Sequence, residues 1–149
     1  MVITWPNDTE SIIDQIRGVI GRDITFYVVA SSTACSVCSL DPVTNTSTDP
    51  FCLTCSGLYW IPVYSGVTVS GHVTWGHSEL LNWQSGGQFF DGDCRVQIKY
   101  TVANLDAVDR MKWAVVDGKQ LFFLKKILRG VKQLNRILID LKERKKDNE

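Results

Sequence analysis

The residues best suited to chemistry are four cysteines. Cys35 and Cys38 are separated by two residues, as are Cys52 and Cys55, and 13 residues lie between the pairs, giving C-x2-C-x13-C-x2-C. Two cysteines at this spacing in a tight turn can aim both thiolates at one ion, and a second such knuckle completes the tetrahedron that zinc accepts readily. Four thiolates are a soft ligand set that excludes magnesium and calcium. Zn2+ is therefore the expected metal, with an iron-sulfur centre as its metallic rival. Four protein ligands leave no open coordination position, which predicts a structural site and not a catalytic one. Disulfide pairing is the competing reading. Met1 to Glu10 contains neither a basic residue nor an apolar run, so no export signal is expected, and paired knuckles suit a metal better than crosslinks. Two matched copies also disfavour a redox role for a single Cys-x-x-Cys.

The other chemistry-bearing residues carry weaker signals. Cys94 falls on the apolar face of an alternating segment and reads as a small buried hydrophobe. His72 and His77 lack a partner at metal-ligand spacing and read as ordinary surface or turn histidines. Asp91-Gly92-Asp93 is a turn with too few oxygen ligands for calcium. Trp5, Trp60, Trp75, Trp83 and Trp113 read as core residues of strands in preference to base-stacking platforms. No phosphate-cradling glycine loop, nucleophile elbow or acid-base pair stands out, so the chain is not expected to be an enzyme.

These residues need a scaffold, and 149 residues with 44% hydrophobic and 21% charged side chains describe one soluble globular domain. The longest apolar runs, Phe26 to Ala30 and Leu58 to Val63, are too short to span a bilayer, so no membrane role is expected. Net charge is zero but unevenly spread: residues 1–93 carry −7 and residues 94–149 carry +7. That split suits head-to-tail association or a basic face toward a phosphate backbone, unless both halves interleave and the charges mix.

Along the chain, Asn7 or Asp8 can cap a helix carrying Ile12, Ile13, Ile16, Val19 and Ile20 at helical spacing, closed by Gly21. Ile24 to Ala30 reads as a strand. Residues 31–57 form a loop insertion of turn formers around the cysteines. Leu58 to Tyr64 and Val67 to Trp75 read as two strands broken at Ser65-Gly66. Cys94 to Tyr100 alternates as a half-buried strand. Ala103 to Arg110 suits a short helical connection, and Lys112 to Val116 and Lys119 to Leu128 flank Asp117-Gly118 as a hairpin. Arg129 to Asn135 reads as a loop, and Arg136 to Lys142 as a last strand in preference to a helix. A charged tail occupies residues 143–149. The fold class is mainly β: a small barrel or sandwich with one N-terminal helix and a zinc-knuckle insertion.

Beyond spacing, Cys35-Ser36-Val37-Cys38, Asp41-Pro42-Val43-Thr44, Thr48-Asp49-Pro50 and Cys52-Leu53-Thr54-Cys55-Ser56-Gly57 together resemble segments of small neck proteins of tailed bacteriophages. The resemblance extends through Ile20-Gly21-Arg22, Phe26-Tyr27, Gly92-Asp93-Cys94 and Leu134-Asn135-Arg136. It implies a structural virion protein of the head-closure or stopper kind. Such a protein forms a homo-oligomeric ring between portal or adaptor protein and tail proteins, assembled in the host cytoplasm, with DNA passing through the channel. A zinc-ribbon module that binds nucleic acid is the alternative. It predicts basic and aromatic residues around the knuckles, yet residues 31–57 contain no Lys or Arg.

Overall fold

In the computed structural model, residues 9–76, 92–131 and 133–143 are described. Asn7, Asp8, Trp5, His77, Trp83, Asp91 and the tail beyond Glu143 lie outside them. The first helix, α1, runs Thr9–Ile20 and closes where the Gly21 amide donates to the Arg17 carbonyl at 2.7 Å. Its apolar stripe behaves unlike a buried seam. Ile12, Ile16, Val19 and Ile20 are exposed, while Arg17 is the residue the helix buries.

Among the described residues eight strands follow, with one more helix among them: β1 Arg22–Ala34, β2 Leu40–Asp41, β3 Thr46–Ser47, β4 Trp60–Trp75, β5 Cys94–Lys99, α2 Val102–Arg110, β6 Met111–Val116, β7 Lys119–Val131 and β8 Gln133–Glu143. Six of them close a barrel in the order β1-β4-β5-β8-β7-β6, which resolves the choice between barrel and sandwich. β2 and β3 form a separate antiparallel pair. Thr101 caps α2 by accepting from the Asn104 amide at 3.1 Å.

The alternation in the sequence becomes the inside and outside of the barrel. Cys94, Val96 and Ile98 of β5 are fully buried, as are Ile137, Ile139 and Leu141 of β8, confirming the last element as a strand. Register locks the two together, with Val96 opposite Ile139 and Ile98 opposite Ile137. Ile24, Phe26, Ala114, Val116 and Leu121 complete an aliphatic interior with one phenylalanine. The described tryptophans, Trp60, Trp75 and Trp113, are not its substance. Trp113 stacks on Tyr27 at 5.2 Å, Trp75 donates its indole N–H to Asp117 at 3.0 Å, and Trp60 is exposed.

Two segment readings are corrected. Ser65-Gly66 does not break the chain into two strands, because β4 is one strand of 16 residues. Thr25 of the neighbouring strand would stand 2.8 Å from a Cβ at Gly66, so the absence of a side chain there lets the pairing continue. Arg129 to Asn135 is not a loop either. β7 and β8 pair up to Val131 opposite Gln133, with a register irregularity between Arg129 and Gly130 absorbing the tight reversal. Asp117 and Gly118 do turn the β6–β7 hairpin, both with positive φ, 49° and 78°.

The acidic and basic halves of the sequence interleave. Lys99 pairs with Asp14 at 2.5 Å, and β5 of the basic half lies between β4 and β8. On the outer face Asp140, only 1% exposed, accepts from Arg95 Nε at 2.6 Å and Nη2 at 2.9 Å, while Lys125 approaches to 3.6 Å. The chain divides into two compact units. One comprises residues 1–27 and 66–149, the other residues 28–65, somewhat wider than the expected insertion at 31–57.

Candidate metal centre

Within residues 28–65 the local hydrogen bonds explain why a tract with so few core residues holds a shape. Asp41 Oδ1 accepts from the Val43 amide at 2.9 Å, and Asn45 in left-handed conformation turns β2 back as β3. The Ser47 and Thr48 amides donate to the Gly57 and Ser39 carbonyls at 3.1 and 2.9 Å, tying this hairpin to both knuckles. The second knuckle closes when the Ser56 amide reaches the Cys52 carbonyl at 2.8 Å and that of Leu58 reaches Cys55 at 3.0 Å. Ser56 and Gly57 both take positive φ. A Cβ on Gly57 would lie 2.7 Å from the Pro50 carbonyl oxygen, so only glycine fits.

The result brings Cys35, Cys38, Cys52 and Cys55 together, with all four sulfurs within 4.8 Å of one another. Cys35 Sγ lies 3.8 Å from Cys52 Sγ, and Cys38 Sγ lies 3.5 Å from Cys55 Sγ. These separations are far longer than a disulfide bond of about 2.05 Å, so the thiols are free. A tetrahedron with metal-sulfur bonds of about 2.3 Å has edges of about 3.8 Å, and the observed distances fit it. The cluster is therefore able to hold a metal ion. Three of the four cysteines are buried, and Tyr59 and Ile61 pack against them.

The surrounding dipoles favour negative sulfur. The Val37 amide donates to Cys35 and brings its thiol below the ordinary value, outweighing burial. At Cys55 burial pulls upward, but the Tyr59 amide and the neighbouring thiols bring it down to about 6. Cys38 moves the other way. The Ser47 hydroxyl lowers it, yet lost hydration and the adjacent sulfurs prevail and push it up to about 12. Close thiols cannot all ionise without a cation among them, and a divalent metal removes that conflict.

Ser47 is a site residue that the motif does not reveal. Its oxygen accepts from the Asp49 amide at 3.0 Å, and its hydroxyl also hydrogen-bonds Cys38. In the sequence it is one of several turn-forming hydroxyls, and nothing in its spacing sets it apart. Tyr59 contributes through its backbone amide, which leaves no trace in residue type.

The other candidates lie in the larger unit. Cys94 is a fully buried barrel residue whose thiol burial pushes up to about 12, with Asp93, Asp117 and Asp140 adding repulsion, as suits an inert core cysteine. His72 is a half-buried residue of β4 and joins no metal cluster among the described residues. No helix among the described residues is long and apolar enough to cross a membrane. No family model, curated protein or solved structure matches the chain.

Proposed function

We propose that this chain is a non-enzymatic assembly protein whose four cysteines hold a structural Zn2+, and that it serves as a subunit of a bacteriophage neck. In that role it closes the head or joins the portal or adaptor ring to the tail within the virion. The observation that carries the reading is the surface of the cysteine unit. Residues 28–65 bear two acidic side chains and no Lys, Arg or His. Around the knuckles Phe51 and Leu53 are 86% and 100% exposed, and Val37 and Val43 are exposed beside them. An apolar, weakly acidic surface suits contact with protein and repels a phosphate backbone. This favours assembly over the zinc-ribbon reading. Zinc is preferred to iron because a closed four-thiolate site serving only to pin a loop needs no redox-active ion.

Heterologous contact between subunits, closed by rotation, makes a ring. The exposed Lys112 of β6 offers a positive charge to a neighbour or to DNA in the channel. The test is to mix the chain with a preformed portal-adaptor complex and image it, alongside a Phe51→Ser, Leu53→Ser variant. Ring-symmetric density given by the native chain and lost in the variant supports the reading. Failure to bind any such complex, together with tight binding to duplex DNA, would replace it with the zinc-ribbon alternative.

A further inference from the structure

The larger unit also has a pocket that none of the cysteines lines. His72 of β4 stands opposite Gln97 of β5, and Lys99 of β5 stands opposite Arg136 of β8. These side chains alternate with the buried Val73, Val96, Ile98 and Ile137, so they belong to the outer face of the barrel. A pocket of about 200 Å³ opens there, lined by Ile13, Ile16, Arg17 and Ile20 of α1 and by His72, Gln97 and Arg136 of the sheet. Among the described residues no acidic side chain lines it.

Arg17 is 7% exposed, and only one edge of its guanidinium is satisfied, by Nη1 donating to Asp14 at 2.6 Å. Nε and Nη2 are buried without a hydrogen-bond partner, and so is Nε of Arg136. Buried charged donors without acceptors are costly, and their retention calls for a missing partner. The unfilled edge of Arg17 has a specific shape. Nε and Nη2 are the two atoms through which Arg95 of this same barrel grips both carboxylate oxygens of Asp140. The three isoleucines that line the same pocket would take hydrocarbon.

We propose that this pocket binds a carboxylate carried on a small apolar group, held bidentate by Arg17, supported by Arg136, with Ile13, Ile16 and Ile20 around the apolar part. The ligand is a free short-chain acid or the terminal carboxylate of a polypeptide ending in an apolar residue. The fork and the isoleucines serve both alike. A phosphate would satisfy the fork but would gain nothing from the apolar wall.

The test follows thermal unfolding and the arginine Nε–H NMR signals of the full chain during titration with hexanoate, N-acetyl-leucine, N-acetyl-leucinamide and inorganic phosphate. Saturable stabilisation by hexanoate or N-acetyl-leucine, with a shift of the Arg17 Nε–H signal and no effect of the uncharged amide, supports the proposal. The stronger of the two identifies the source. Arg17→Met should fold at least as well as the native chain without ligand and bind about 10- to 100-fold more weakly. Should that variant fail to fold, Arg136→Gln, which leaves the Asp14–Arg17 pair intact, must still weaken binding. No saturable response to either carboxylate, an equal response to phosphate, or undiminished binding by the folded variants would overturn it.

Discussion

Replacing Cys52 with serine tests the metal centre and the division of the chain together. Cys52 is 4% exposed and its sulfur lies 3.8 Å from that of Cys35, so the substitution removes one corner of the tetrahedron from within. Structural zinc sites bind with apparent free energies of about 10–16 kcal/mol near neutral pH. Shared over four ligands, one thiolate contributes about 2.5–4 kcal/mol, a loss of about 10²- to 10³-fold in affinity. Competition with a chromogenic chelator measures the affinity, after elemental analysis has established one zinc per native chain. Hydrogen exchange then shows where order is lost. The Cys35, Ser47, Thr48, Ser56 and Leu58 amides, bonded within residues 28–65, should exchange faster. The β5 and β8 amides, over a fully buried aliphatic interior, should keep their protection. Unchanged zinc affinity would refute the four-ligand assignment. Loss of protection spreading through β5 and β8 would show that the metal is part of the barrel's own stability.

Asp140→Ala removes two charge-assisted hydrogen bonds from Arg95 and should destabilise the fold by about 1.5–3 kcal/mol, read from urea unfolding with an unchanged slope. Asp14 and Asp117 are held below their ordinary value of 3.8, the first by Lys99 and the second chiefly by the Trp75 indole. A depressed carboxyl stabilises above its unfolded pKa and loses that contribution as pH falls through the folded one. The Asp14→Asn, Asp117→Asn double variant should therefore be less stable at neutral pH, and its stability curve should converge with that of the native chain below about pH 4. Gly57→Ala should loosen the second knuckle without unfolding the barrel, measured as weaker zinc retention against chelator.

Strands with clean alternation were legible in the sequence, because period two has one physical meaning when one face is buried. Cys94 to Lys99 and Arg136 to Lys142 are of this kind. Where Gly or Ser interrupted the pattern, local propensity misled: Ser65-Gly66 and Gly130 sit inside long strands whose partners supply the pairing. The isoleucines of α1 promised a buried stripe, yet Arg17 is the buried member, a preference set by the sheet beneath and invisible along the helix. At the metal centre spacing identified all four cysteines. It could not identify Ser47 or the Tyr59 amide, since hydroxyl and backbone donors become specific only through a fold.

The closed order of the six strands has a consequence for how this protein meets others. Among the described residues the six barrel strands have no outermost member, although β4 extends beyond its five-residue pairing with β5, and the separate β2–β3 pair is only two residues on each strand. Where the barrel is closed, a partner therefore cannot be added as a further strand. Recognition has to be written in side chains, so that single substitutions can abolish it. Crowding many copies together also carries little risk of the indiscriminate stacking that exposed strand margins invite.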